Sequence, residues 1–109
     1  MQMIDIKEAL KKTTGTIVFD DLTHIDLSLP FEDNEDELKE DLLQIEYPGD
    51  IILDAGWYPS FDKDGEFQVR VIKSSDWETP YFIKSGKSAN ELLNNLEEAI
   101  AICNKLIGK

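Results

Sequence analysis

Asp50 to Lys73 reads DIILDAGWYPSFDKDGEFQVRVIK, and how this stretch folds back on itself decides the architecture of the chain. Two runs of alternating apolar residues flank a segment rich in Pro, Asp and Gly, which is the pattern of a β-hairpin. A three-residue loop over Lys63-Asp64-Gly65, with Gly65 in the left-handed conformation, sets Asp62 opposite Glu66, Phe61 opposite Phe67 and Trp57 opposite Val71. Ile51, Leu53, Ala55, Trp57, Phe61, Phe67, Val69 and Val71 then share one side; a slip of one residue would set Trp57 against Arg70 and split the apolar set. Pro59 has no N–H to donate, so the strand is expected to be irregular or at an edge there. Trp57 belongs with the core. Tyr58 points the other way with Ile52 and Asp54, beside Gln68, Arg70 and Ile72 of the second strand. Unless a helix covers it, that side is a mixed aromatic and polar patch of the kind interfaces use.

Upstream, Asp5-Ile6-Lys7-Glu8 has capping-box spacing, and Ile6, Ala9 and Leu10 fall on one side of a short helix ending at Thr13-Thr14-Gly15. Thr16 to Phe19 is a β-branched and aromatic run. Thr23 to Leu29 alternates, with Ile25, Leu27 and Leu29 on one face, so both stretches are predicted strands. Asp33 or Asn34 can cap a helix over Glu35–Gln44, with Leu38, Leu42 and Ile45 facing inward, which Pro48-Gly49 stops. Downstream, Trp77, Tyr81, Phe82 and Ile83 suggest one more strand after the bend Asp76-Trp77-Glu78-Thr79-Pro80. Ser88-Ala89-Asn90-Glu91 is a capping box, followed by Leu92, Leu93, Leu96, Ala99, Ile100, Cys103, Leu106 and Ile107 at helical spacing. The expected fold is a single α+β domain over residues 1–109, with a mostly antiparallel sheet, a long C-terminal helix packed on it and two shorter helices.

The chain has 109 residues, 41% hydrophobic and 31% charged, which is enough for one modest core that buries roughly two-thirds of the unfolded chain's surface. The N-terminal residues carry no basic and apolar leader, and no apolar run is long enough to span a bilayer, so a cytoplasmic location is expected. A single cysteine, Cys103, fits a reducing compartment. The net charge of −12 is concentrated in the middle. Asp20 to Glu66 holds 16 acidic and two basic residues, a net −14, whereas the rest holds 7 acidic and 9 basic, a net +2. Such a field repels nucleic acid and anionic membrane and attracts a basic protein.

Several stretches have the outline of a ligand site. Phe61-Asp62-Lys63-Asp64-Gly65-Glu66-Phe67 looks like part of a calcium loop. Aligning Gly65 to the loop's glycine, however, puts Ser60 at the first ligand position and Val71 where a bidentate Glu is needed, so a hairpin turn accounts for it. Gly86-Lys87-Ser88 opens a helix after a strand, but Tyr81 stands where a phosphate-binding loop needs its first glycine. His24 is the one histidine, and no serine or cysteine neighbours it in sequence. Cys103 sits in the apolar stripe of the last helix, as a buried inert thiol does. No catalytic residue, metal ligand or cofactor-binding residue is assigned. The dense run Glu32, Asp33, Glu35, Asp36, Glu37, Glu40 and Asp41 remains. A helix dipole favours only its first few carboxylates, and Asp36/Glu40 and Glu37/Asp41 repel each other at i,i+4. A partner carrying Lys and Arg would relieve that repulsion. With this run, Tyr58 and Trp77 are the candidate partner-binding residues, although Trp77 fits core and contact surface equally well.

The ordered set Asp54, Gly56-Trp57-Tyr58-Pro59, Gly65, Phe67, Asp76-Trp77-Glu78 and Pro80, followed by a Leu-rich C-terminal helix, resembles small bacterial immunity proteins encoded beside contact-dependent growth inhibition toxins. The likeness spans roughly the second half of the chain. It implies a cytosolic, non-enzymatic protein that binds and neutralises one cognate toxin domain, often a nuclease, and needs no cofactor. The acidic middle fits that role independently, because a nuclease must present cationic groups to phosphates. Two other functions are compatible with the residues: an acidic adaptor that docks on a basic protein without inhibiting it, and a small enzyme with a carboxylate-bound divalent metal.

Overall fold

A computed structural model describes residues 6–108. Five antiparallel strands form one sheet whose spatial order follows the sequence: β1 (Thr16–Asp20), β2 (Leu43–Tyr47), β3 (Ile51–Tyr58), β4 (Glu66–Lys73) and β5 (Phe82–Gly86). A short helix α1 (Ile6–Leu10) precedes the sheet, and a one-turn helix α2 (Phe31–Asn34) continues into a 3-10 turn over Glu35–Glu37 between β1 and β2. The long helix α3 (Ala89–Ile107) ends the chain. The expected α+β architecture, with its antiparallel sheet, long C-terminal helix and two shorter helices, is therefore present. Asp5, the predicted cap of α1, lies outside the described residues.

The period of two in each strand builds the core. Leu43, Ile45 and Tyr47 of β2, Leu53, Ala55 and Trp57 of β3, and Phe67, Val69 and Val71 of β4 are all buried, and all join the cluster formed by Leu92, Leu96, Ala99, Ile100 and Cys103 of α3. Each such aliphatic side chain contributes about 1.5–3 kcal/mol on burial. α3 starts where predicted: Ser88 Oγ accepts from Glu91 N, and the Glu91 carboxylate accepts from Ser88 N in return. Burial holds the Cys103 thiol up at about 11, so the residue is the apolar filler that its place in the stripe suggested.

The hairpin keeps the predicted faces but not the predicted register. Trp57 pairs with Phe67 and Leu53 with Val71, so the connection runs over seven residues, Pro59–Gly65. The shift is an even number of residues, and for that reason the apolar set stays on one side. Phe61 is the exception: it leaves the strand with φ 61° and is 51% exposed. β3 stops at Tyr58, before Pro59, as a missing N–H requires. Gly65 is not left-handed. Its need is for space, because a Cβ there would come within 2.6 Å of the Trp57 indole nitrogen, which donates to the Asp62 carbonyl at 2.8 Å.

Two predicted elements are absent. Thr23 to Leu29 forms turns rather than a strand, because Asp20 Oδ1 accepts from the Leu22 and Thr23 N–H groups and Asp26 Oδ1 from Ser28 N, which captures the backbone locally. Leu22 and Ile25 are buried nonetheless. No long helix covers Glu35–Gln44 either. Its first three residues form the 3-10 turn and its last two open β2, in which Leu43, Ile45 and Tyr47 are buried while Gln44 and Glu46 are not, a period-two signal that competes with the helical spacing of Leu38, Leu42 and Ile45. Pairing with β3 decides the outcome, aided by carboxylate repulsion that disfavours a helix. Pro48 to Asp50 then turns a second hairpin, with Gly49 and Asp50 both at positive φ.

Candidate protein-binding surface

The acidic run lies at one end of the sheet. Leu38 to Leu42 runs along the outer part of β3, with Leu42 N donating to Ala55 O, Trp57 N to Lys39 O and Phe61 N to Leu38 O. Between these bonds the chain bulges across the sheet surface at Gly56, where a Cβ would meet the Glu40 carbonyl oxygen at 1.8 Å. Only glycine admits this crossing. Ser60 Oγ accepts from Glu40 N at 3.0 Å and fixes the bulge to the β3–β4 connection.

Glu32, Asp33, Glu35, Asp36, Glu37, Glu40 and Asp41 are all exposed, and none is in an ion pair with a described residue. Lys39, the one cation inside the run, is bound instead to Asp21 at 2.7 Å. Glu32 and Glu35 line a groove of about 420 Å³ with Phe31, Phe61 and Asp62. Asp36 and Glu37 border a smaller one of about 220 Å³ with Asp21 and His24. Among the described residues no group of three or more His, Cys, Asp or Glu side chains is arranged to hold a metal ion.

Glu40 and Asp41 are brought to Tyr58. Burial and the negative charges of Asp54, Glu40 and Asp41 push the Tyr58 hydroxyl up to about 12, against the opposing Arg70 charge. The Tyr58 hydroxyl reaches back along the strand to Asp54 Oδ2 at 3.5 Å, and the Arg70 guanidinium stacks 4.6 Å from the Tyr58 ring centroid. Asp54 is 3% exposed, accepts from Gln44 Nε2 at 3.3 Å and faces Arg70 across β3 and β4 without pairing with it. Its carboxyl pKa is raised by burial, which the Gln44 hydrogen bond and the Arg70 charge oppose and the nearby Asp41 charge augments. Arg70 Nη2 donates to Gln68 Oε1 at 2.7 Å, while its buried Nε has no acceptor.

Trp77 is not part of this group. It is 41% exposed in the β4–β5 connection, which leaves the sheet where Lys73 pairs with Ile51, whereas Tyr58 is at the other end of β3. Seven residue steps of strand separate the two ends, roughly 23 Å. Phe61, expected on the apolar side opposite Phe67, instead lines the groove with Glu32 and Glu35, because its departure from the hairpin follows from a loop length that alternation alone cannot fix.

The remaining sequence candidates resolve into structural roles. Lys87 N and Ser88 N, the donors that open α3, are taken by Glu91 Oε1 at 2.9 and 3.1 Å. Asp64 N donates to Asp62 Oδ1 in the turn that resembled a calcium loop. No helix among the described residues is long and apolar enough to cross a membrane. Comparison with models of protein families, with characterised proteins and with solved structures finds no match for this chain.

Proposed function

We propose that this chain is an immunity protein, which binds a cationic toxin domain of nuclease type and neutralises it by presenting carboxylates where that domain expects phosphates. One observation carries the reading: seven exposed carboxylates between Glu32 and Asp41 gather at one end of the sheet, and none is in an ion pair with a described residue. Their mutual repulsion is unrelieved in the free molecule, and a cationic surface relieves it on binding. The resemblance of the Gly56-Trp57-Tyr58-Pro59 and Asp76-Trp77-Glu78 segments to toxin-neutralising proteins supplies the class of partner. Tyr58, beside Glu40 and Asp41, is its aromatic contact.

The test is kinetic. With the toxin domain encoded beside this chain as the probe, steering brings the association rate to about 10⁸ M⁻¹s⁻¹ or more at low salt. Neutralising Glu35, Asp36, Glu37 and Glu40 together slows association and flattens its salt dependence, with the fold intact. Unchanged rates and an unchanged salt slope would remove the acidic run from the mechanism. A neighbouring gene for a metabolic or ribosomal protein that binds the chain, in place of a toxin, favours the adaptor function.

A further inference from the structure

We infer that the face of the sheet turned away from α3 is the docking surface for the same cationic protein partner, with the acidic end forming its rim. This rests on the proposed function and adds the surface through which it acts.

The sheet has two unlike sides. Buried residues of β2, β3 and β4 on one side join α3 in the core, and Ile72, pointing the other way, is buried yet stands outside that cluster. Pairing fixes a row across the opposite side: Phe19, Gln44, Asp54, Arg70 and Ile83, one residue from each strand. The ends of the row are apolar and open, Phe19 at 38% and Ile83 at 49% exposure. Its centre is polar, with the buried Asp54 carboxylate held by Gln44 and Tyr58 but in no ion pair with a described residue, and Arg70 Nε without an acceptor among them. A finished solvent-facing surface does not need a buried charge of this kind.

Charge chooses the occupant. Glu46 and Glu66 lie on this face by register, Asp54 is at its centre and the Glu40-Asp41 bulge crosses it, against one cation, Arg70. Five carboxylates and one guanidinium give a net −4. A second copy would bring −4 against −4, and nucleic acid or an anionic membrane would be repelled likewise, whereas a Lys- and Arg-bearing protein is attracted. Five strands about 4.8 Å apart and a longest strand of eight residues make the face roughly 500 Å².

The experiment compares three variants that each add one cation: Ile83→Arg and Phe19→Arg on this face, and Asn94→Arg on exposed α3. The probe is again the toxin domain encoded beside the chain, with thermal unfolding as the check on folding. Each face variant should weaken binding at least tenfold while Asn94→Arg stays within twofold. A complex indifferent to both face variants, or weakened equally by Asn94→Arg, leaves the proposed function standing and overturns this surface. Failure of the wild-type chain to bind the domain removes the function and the surface together. Light scattering that finds a wild-type dimer, dissolved by Ile83→Arg, gives the face to a second copy and also overturns the inference.

Discussion

The two faces of this sheet are made by the same strands and obey opposite rules. Toward α3, Leu43, Ile45 and Tyr47 of β2, Leu53, Ala55 and Trp57 of β3 and Phe67, Val69 and Val71 of β4 are aliphatic or aromatic and buried, and the buried Cys103 thiol is inert. On the other side, the same strands present an amide, a carboxylate and a guanidinium in a row, bounded by open apolar residues, with Tyr58 and Gln68 beside it. The first face accounts for the stability of the fold. The second contains groups whose burial is resisted, the Asp54 carboxyl and Arg70 Nε, and it is the face we propose for docking.

Substitutions should separate the two sides by magnitude. Leu96→Ala, in the layer between α3 and the sheet, opens a cavity and should cost about 2–5 kcal/mol in chemical denaturation, whereas Ile83→Ala on the open face should stay within about 0.5 kcal/mol. Equal losses would mean that the open face is covered. Gly56→Ala sits where the faces are bridged by the Glu40 bulge; with 1.8 Å available, the bulge must lift, at about 1–3 kcal/mol. Ser88→Ala removes the cap of α3 and should cost about 1 kcal/mol, read as a lower thermal midpoint.

Asp54→Asn is the smallest change and has the opposite sign. Burial holds the folded carboxyl above its ordinary pKa of 3.8, so between that value and the folded pKa the native state binds more protons than the unfolded one. Wild-type stability therefore falls across that window as pH rises, because ionisation is resisted by the fold. The asparagine variant lacks this loss. Its stability relative to wild type should grow as pH rises from about 4 and level off above the folded pKa. A variant less stable at neutral pH would show that the charge is satisfied.

Legibility differed between the same two faces. The core face could be read because burial imposes a period on the sequence, and even the misplaced register of the hairpin kept it, since an even shift preserves sides. α3 was legible down to its cap for a similar reason: both the stripe and the Ser88–Glu91 exchange are local. The acidic segment was not. Leu38, Leu42 and Ile45 satisfy a helix, Leu43, Ile45 and Tyr47 satisfy a strand, and the choice is made by β3, which lies nearby in space but is invisible to a local pattern. The turns after β1 were missed because alternation at Ile25, Leu27 and Leu29 outweighed the Asp20 and Asp26 side chains that bind their own backbone. Of the candidate site, Tyr58 and its neighbours Asp54 and Arg70 were foreseen. The union of Tyr58 with Glu40 and Asp41 required the bulge at Gly56, and the separation from Trp77 required the strand's full length.

Hydroxyl-radical footprinting of the chain, alone and with the toxin domain that the proposed function requires, tests the division of the sheet most directly, because it reads side chains on both layers at once. The account predicts that Phe19, Tyr58 and Ile83 lose reactivity in the complex while Leu93 and Ile102 of α3 keep theirs. Protection of the α3 residues with Phe19 and Ile83 unchanged would contradict it.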